Sequence, residues 1–339
     1  MSLDKKDVTI YDLAAKLKVS VATVSRALRD DPVVSLKTRK KVFALAEQYG
    51  YQANHFARSL RNKQTHTIGV IVPRLNSYFM ATVIAGIEQA ANQAGYNLLI
   101  SQSSESPEKE KAIVNTMFHN RVDGLLVSLA YQNGSLEHLA KFTKKNIPVV
   151  FFDRAQGADQ YTSVQINNRQ AGYEATRHLL SRGKRNIFHI TVSTMHSLYR
   201  QRYEGYVQAL REFGLAPDPD LIFLSDLSQE SGFEAARHIL SMSKRPDGIF
   251  VANDNCAVGC LVSLQQKGIR IPEDIAVVGF NDDPVCKIVS PNLTTIHYPG
   301  HLMGEQAARH LIHHLNGSAD IALTQSILLR SDLVVRQST

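Results

Sequence analysis

The sequence predicts two folds in series: a small all-α head of three helices, and an α/β body of two lobes built on parallel sheets. Three observations predict it. The first 52 residues hold three short amphipathic patterns separated by cap and turn residues. From Ile68 onward, short apolar runs alternate with helical patterns. Finally, the charge is unevenly placed. Residues 1–63 carry 13 Lys+Arg against 6 Asp+Glu, whereas the remaining 276 residues carry 25 of each, so the net charge of +7 sits in the first fifth of the chain. A basic head on a neutral body is arranged to meet phosphates rather than to confer general solubility.

Helix one of the head starts after Thr9, with Asp12 placed as a short capping-box acid, and Ile10, Leu13, Ala14 and Leu17 form one apolar stripe. Lys18-Val19-Ser20 leaves room only for a tight turn. Ser20 caps helix two, Val21 to Leu28, with Val24, Ala27 and Leu28 inward and Val21, Ala22, Thr23, Ser25 and Arg26 outward. Ser35 caps helix three, which runs to Gln48 with Val42, Leu45 and Ala46 inward and ends at Gly50. Three short helices around one core make a helix-turn-helix domain. Hydroxyls and a helix amino terminus suit phosphate oxygens, and Arg26 suits the paired acceptors of guanine in a major groove. The same residues on a generic three-helix bundle would simply be solvated. Next, NHFARSL (54–60) can form about two helical turns, too short to persist alone, flanked by Arg58, Arg61 and Lys63; it reads as a segment that orders on contact, or as an ordinary linker.

In the body, IGVIVP (68–73) precedes a helix over about 79–94, and NLLISQ (97–102), GLLVSL (124–129) and VVFFD (149–153) follow. A second set is expected to begin at SVQIN (163–167) and to continue through IFHITV, LIFLSD, GIFVAN and IAVVGFN. Continuous apolar strands with helical crossovers mean parallel sheets covered on both faces, here in two lobes with a cleft between them. Polar residues at the carboxyl ends of such strands face the cleft. That rule selects Ser128, Asp153, Arg154, Asn253, Asp254, Asn281 and Asp282, with Tyr78 and Phe79 after the first strand. Carboxylate, amide and guanidinium groups around an aromatic suit the paired hydroxyls of a sugar, although each of them alone reads equally as a strand-end or helix cap, Asp254 above all.

TIYDLAAKLKVSVATVSRAL, continued by VSLKTRKKVFALAEQYGYQAN and FARSLR, resembles the signature of the LacI/GalR family of bacterial transcription regulators, and the similarity runs along essentially the whole chain. The resemblance implies a periplasmic-binding-protein-like body whose last segments cross back between the lobes. It implies that Val21 and Ala22 choose among bases and that Arg26 is a more general base contact. It places Thr9, Tyr11, Ser20, Thr23, Ser25, Ser35 and Thr38 at positions that approach the DNA backbone or seat the domain. It makes Asn54 the cap of a hinge helix, with Arg58 on its basic flank and Ala57 and Leu60 facing the minor groove, Leu60 as the apolar wedge. Ala53 stands where the family often has proline. Arg202, in YRQRYEGY, matches the arginine that grips the effector, and Asp153, Asn253 and Asn281 match other effector positions; Asn281 replaces a frequent aspartate. The implied domains are 1–52 for the DNA-binding head, 53–65 for the hinge, and 66–339 for the body. Its N-lobe is about 66–165 plus 294–324, and its C-lobe about 166–293 plus 325–339.

No GxGxxG after a strand, P-loop, GxSxG or HExxH is present, so no enzyme and no cofactor is expected. Cys256 and Cys260 lack a matching ligand pair, and His310, His313 and His314 read as a polar helix face, so no metal is expected either. No apolar run reaches the roughly 18 residues of a membrane helix, MSLDKKDVTI has no signal-peptide core, and three cysteines without CxxC fit a reducing cytoplasm. The expected function is a cytoplasmic, sequence-specific transcriptional repressor. A small-molecule effector, a sugar or sugar derivative, controls its affinity for a pseudo-palindromic double-stranded operator. A twofold site calls for a homodimer, and no leucine heptads follow VVRQST. A sugar receptor with a basic tail is the alternative from another class.

Overall fold

The computed structural model describes residues 8–51, 64–130, 135–155, 161–192, 197–324 and 326–339. By internal packing the chain divides into two units, Met1–Thr65 and His66–Thr339.

The head contains α1 (Ile10–Leu17), α2 (Val21–Ala27) and α3 (Leu36–Gln48). Thr9 closes a capping box: its backbone N–H donates to Asp12 Oδ2 at 2.8 Å, and Asp12 N–H donates to Thr9 Oγ1 at 3.4 Å. The chain leaves α1 through Lys18 in the left-handed region, φ 54°, which turns it within three residues to the Ser20 cap of α2. No helix here is long enough to be stable alone. Leu13, Ala14, Val24, Ala27, Val34, Val42 and Ala46 are buried together and supply the stability that local propensity lacks.

The body opens with β1 (Thr67–Val72), α4 (Tyr78–Gln93), β2 (Asn97–Gln102), α5 (Pro107–His119), β3 (Gly124–Val127), α6 (Ala140–Lys144), β4 (Val149–Phe152) and β5 (Thr162–Ile166). It continues with α7 (Asn168–Ser181), β6 (Ile187–Thr191), α8 (Ser197–Glu212), β7 (Ile222–Leu224), α9 (Gln229–Ser241), β8 (Gly248–Val251), α10 (Asp254–Gln265), β9 (Ala276–Asn281) and β10 (Thr294–His297). The last elements are α11 (Gly300–Leu315), β11 (Ser326–Leu329) and β12 (Leu333–Val334). The N-lobe sheet has the order β11-β5-β4-β3-β1-β2 and the C-lobe sheet β12-β10-β9-β8-β6-β7. Every pairing is parallel except β10 with β12. The wholly buried runs at β3, β4 and β8 follow from helices on both faces.

Two sequence expectations change. SVQIN does not open the second set: β5 pairs with β4 and belongs to the N-lobe sheet. The lobe boundaries near the end also move. Thr294–His297 joins the C-lobe sheet beside β9, and Ser326–Leu329 joins the N-lobe sheet beside β5, each opposite to expectation, whereas α11 against α4 and β12 beside β10 keep the lobes expected of 294–324 and 325–339. Both segments, TTIH and SILL, are strands of four residues that could complete either sheet, and only the backbone pairing decides. The chain therefore crosses between lobes after β5, after β10 and after β11. Past the second crossing, α11 lies against α4 so closely that a Cβ on Gly304 would sit 1.9 Å from the Val83 carbonyl oxygen.

Candidate functional site

On α2 the positions expected to face outward separate by environment. Ala22 and Arg26 are exposed, whereas Val21, Thr23 and Ser25 are half-buried. Val21, the first helical residue, leans onto the head core, which corrects the expectation that it projects freely. Three hydroxyls are committed locally. Ser20 Oγ accepts from Thr23 N–H at 3.1 Å and pairs with Thr23 Oγ1 at 2.9 Å. Ser25 Oγ accepts from Arg29 Nη2 at 2.9 Å. Ser35 and Thr38 repeat the Ser20 and Thr23 arrangement on α3, at 2.9 Å. The Thr9 hydroxyl donates to Asp12 Oδ2 at 2.6 Å, and Tyr11 is 70% exposed. These residues thus orient helix starts, leaving Tyr11, Ala22 and Arg26 as the groups most open to a partner. Asn54, Ala57, Arg58 and Leu60 lie outside the described residues.

In the body, four of the strand-end candidates, Ser128, Asp153, Arg154 and Phe79, come to one place. Asp153, just past β4, is buried with φ 59°, a conformation costing an L-residue on the order of 1 kcal/mol or more. Backbone bonds from Asp153 N–H to the Val164 carbonyl (3.0 Å) and from Gln165 Nε2 to the Asp153 carbonyl (3.1 Å) hold it there. Its carboxylate receives Ser128 Oγ at 3.4 Å and Tyr298 OH at 2.5 Å, with Arg154 Nε 3.8 Å away. Arg154 is turned chiefly toward Glu105, at 2.7 Å. Phe79 is buried and stacks on Tyr298, ring centroids 4.2 Å apart, whereas Tyr78 is 51% exposed.

Arg202, on α8, is only 2% exposed. Its Nε donates to Asn168 Oδ1 at 2.9 Å and its Nη1 to the Ala252 carbonyl at 3.2 Å, and its guanidinium lies 3.5 Å from the Phe280 ring centroid. Among the described residues no carboxylate stands within ion-pair distance of it, so this buried charge is held by neutral acceptors and aromatic faces. Because Arg202 Nε can only donate, the Asn168 oxygen is fixed as acceptor, and its amide nitrogen is buried without a hydrogen-bond partner. Asn168, Phe280 and Tyr298 escaped the sequence reading, which collected polar strand ends. Phe280 and Tyr298 are aromatics at or just past the carboxyl ends of β9 and β10, the signal that would have found them.

Three other candidates are structural. Asn253 is the cap of α10, its Oδ1 accepting from Asn255 N–H at 2.9 Å and Cys256 N–H at 3.2 Å. Asp254 is fully buried and neither caps nor faces a ligand: it accepts from Asp283 N–H at 2.9 Å and Thr295 Oγ1 at 2.7 Å, tying β9 to β10. Asp282 is taken by Arg336 and lies 3.3 Å from His297 Nδ1. Asn281 is half-buried beside them. Burial raises the Asp254 carboxyl. Burial and the Asp254 charge push Asp283 up to about 7, partly relieved by Asn281. Between its ordinary 3.8 and about 7 the folded protein holds a proton on Asp283 that the unfolded chain releases. Stability contributed by that proton is therefore present below pH 4 and lost as pH rises to about 7. Asp283→Asn removes this slope, a change on the order of 4 kcal/mol across the window, measured as urea midpoints from pH 4 to 8. His189, whose imidazole is driven down to about 4 by burial, has the opposite slope below pH 6.5 and is common to both proteins, so the difference curve isolates Asp283. An unchanged slope refutes the assignment.

Among the described residues no helix is long and apolar enough to cross a membrane, and no group of three or more His, Cys, Asp or Glu is placed to hold a metal ion. Residues 9–54 match the family model of bacterial regulatory proteins, lacI family, and residues 176–339 that of a periplasmic binding protein-like domain. The chain is 34% identical over 337 residues to the catabolite control protein A of Priestia megaterium, covering 98% of this chain and 99% of that protein. It is 31% identical over 331 residues to the transcriptional repressor PurR of Actinobacillus pleuropneumoniae, covering 97% and 98%. In structure it is similar to the lac repressor dimer bound to operator and the anti-inducer ONPF, with TM-score 0.87, 29% identity and coverage of 98% and 99%. A second similar structure is the regulator CelR in complex with cellobiose, with TM-score 0.74, 27% identity and coverage of 98% and 100%. A capped reading helix on a basic head, a two-lobed body with a polar and aromatic cleft, and these matches along nearly the full length agree: the chain belongs to the lacI family of bacterial regulatory proteins.

Proposed function

We propose that this transcriptional regulator is a cytoplasmic homodimeric repressor. It reads a pseudo-palindromic operator with α2 and answers to a sugar or sugar derivative held between Asp153 and Arg202. It is given no catalytic role. The observation that carries the reading is the division of labour on α2: Val24 and Ala27 are wholly buried in the head core while Ala22 and Arg26 stand exposed. A helix used only for packing has no need of an exposed arginine beside small residues. Ala22, with Val21 where its half-buried side chain can reach, offers apolar contact to a thymine methyl, and Arg26 offers paired donors to guanine. Tyr11, Thr9, Ser20, Thr23, Ser25, Ser35 and Thr38 set the register on the phosphates, and Asn54, Ala57, Arg58 and Leu60 form the minor-groove segment.

In the cleft, the Asp153 carboxylate accepts hydrogen bonds from ligand hydroxyls, Ser128 accepts or donates one, and Arg202, Asn253 and Asn281 supply donors. Tyr78, Phe79 and Arg154 complete the N-lobe wall. A ligand changes operator affinity only through its different affinity for the two lobe arrangements. The test is selection of random duplex DNA by the full-length protein at moderate salt, with and without a pool of sugars. A recovered pseudo-palindrome with a fixed central step supports the reading; no enrichment in any condition overturns it. On the recovered site, Arg26→Ala costs about 1–3 kcal/mol and relaxes the preference at one base pair, whereas Lys37→Ala lowers affinity alike across sequences and reduces the salt slope by about one. Equal relaxation by both variants shows the roles to be misassigned.

A further inference from the structure

The aromatic at the second lobe crossing has a position that the ligand reading leaves unused. Tyr298 is 4% exposed and follows directly on β10. Its ring lies on Phe79 with an interplanar angle of 22°, and meets Phe280 edge-on at 5.8 Å. Its hydroxyl reaches Asp153 Oδ1 at 2.5 Å, and the Arg202 guanidinium stands 5.6 Å from its ring centroid. Phe79 and Asp153 belong to the N-lobe, and Phe280 and Arg202 to the C-lobe. A sugar ring in a protein site makes these same two kinds of contact: an apolar face laid on an aromatic, and a hydroxyl donated to a carboxylate. Here one side chain of the protein makes both.

We infer that Tyr298 is a built-in occupant of the Asp153 subsite, so that a ligand hydroxyl binds there only by displacing the phenol. The inference rests on the cleft being the ligand site, as proposed above. It assigns Tyr298 a specificity role. The phenol remains a protonated donor because burial and the neighbouring Asp153 charge push it well above its usual range. Asp153 accepts a short, charge-assisted bond that a weak ligand cannot outbid, and Ser128 at 3.4 Å is a poor substitute for it. The phenol also bridges the crossing strand to the N-lobe, so a ligand that displaces it releases a tie between the segment joining the lobes and one of them. Ligand exchange at Asp153 and lobe movement become one event.

The test uses the full-length protein, with D-glucose, D-galactose, D-ribose and cellobiose as probes, titrated by calorimetry into wild type, Tyr298→Phe, and Tyr298→Phe combined with Asp153→Asn. Tyr298→Phe keeps the ring and its stacking but frees the carboxylate. At least one probe is expected to bind it about tenfold more tightly than wild type, and Asp153→Asn in the same background is expected to remove that gain. Circular dichroism melts verify folding of each variant, and a purely structural Tyr298 would lower the melting temperature without tightening any probe. The inference is overturned if no probe binds Tyr298→Phe more tightly than wild type, or if the gain survives Asp153→Asn. Binding of the selected operator by the same preparations is read separately. Loss of operator binding in wild type defeats the regulator reading, whereas intact operator binding with no probe gain defeats only the Tyr298 assignment.

Discussion

Removing residues 1–63 is expected to abolish sequence-specific DNA binding while leaving the body folded. The excess positive charge resides in that segment, and the remaining 276 residues balance at 25 of each sign. The body is a separate packing unit with its own two sheets and its own buried clusters, none of which, among the described residues, draws a residue from the head. Truncation therefore removes the exposed Arg26 and Ala22 and the electrostatic attraction together, at no cost to the lobes. Fluorescence anisotropy on the selected operator should show affinity falling by about a thousandfold or more, the usual distance between specific and non-specific binding. Circular dichroism melts should retain the cooperative transition of the body. Sequence-specific binding that persists in the truncated protein would place the DNA site in the lobes and sink the assignment of α2.

The second large effect concerns Arg202, where stability and ligand response should separate. Arg202→Met keeps the length and apolar stem of the side chain and removes the charge. The guanidinium is 2% exposed, and its acceptors are the Asn168 side chain and the Ala252 carbonyl, both neutral. Burying a charge without a counter-charge costs several kcal/mol, and replacing such a group with an apolar one of similar volume is commonly neutral or stabilising. The fold is accordingly expected to change by no more than about 1 kcal/mol, the two orphaned acceptors offsetting the relief of desolvation. Ligand response should suffer far more. Loss of a buried charged donor weakens binding by about 2–5 kcal/mol, thirtyfold or more. The measurement pairs urea unfolding with the ligand-induced change in operator affinity, using whichever sugar alters wild-type binding. A variant that unfolds several kcal/mol more easily while keeping its ligand response would make Arg202 a structural strut.

The head was the most legible part of the chain. Thr9, Ser20 and Ser35 cap their helices in the structure as their hydroxyls and positions suggest, and Leu13, Val24 and Val42 meet in the core because a 3.6-residue period leaves them no other face. Val21 was misread as outward since a residue in the first turn can lean either way, and only the neighbouring helices decide. In the body, apolar runs fixed where strands begin, but a fully buried strand carries no face preference and hence no record of its neighbours. The reassigned β5 follows from that, whereas β10 and the half-exposed β11 are four-residue strands whose partners only the backbone pairing sets.

By itself the sequence determined the two-part plan, the charge placement, the helix caps and the place of Asp153 at a strand end, all consequences of local pattern and composition, whereas Arg202 came from the family resemblance alone. Tertiary structure alone decided which sheet each late strand completes, that Asp254 is a buried tie and Asn253 a cap, and that Tyr298 reaches the Asp153 carboxylate. Those outcomes depend on contacts between residues up to 163 positions apart, and no periodicity within a single segment encodes a distance of that kind.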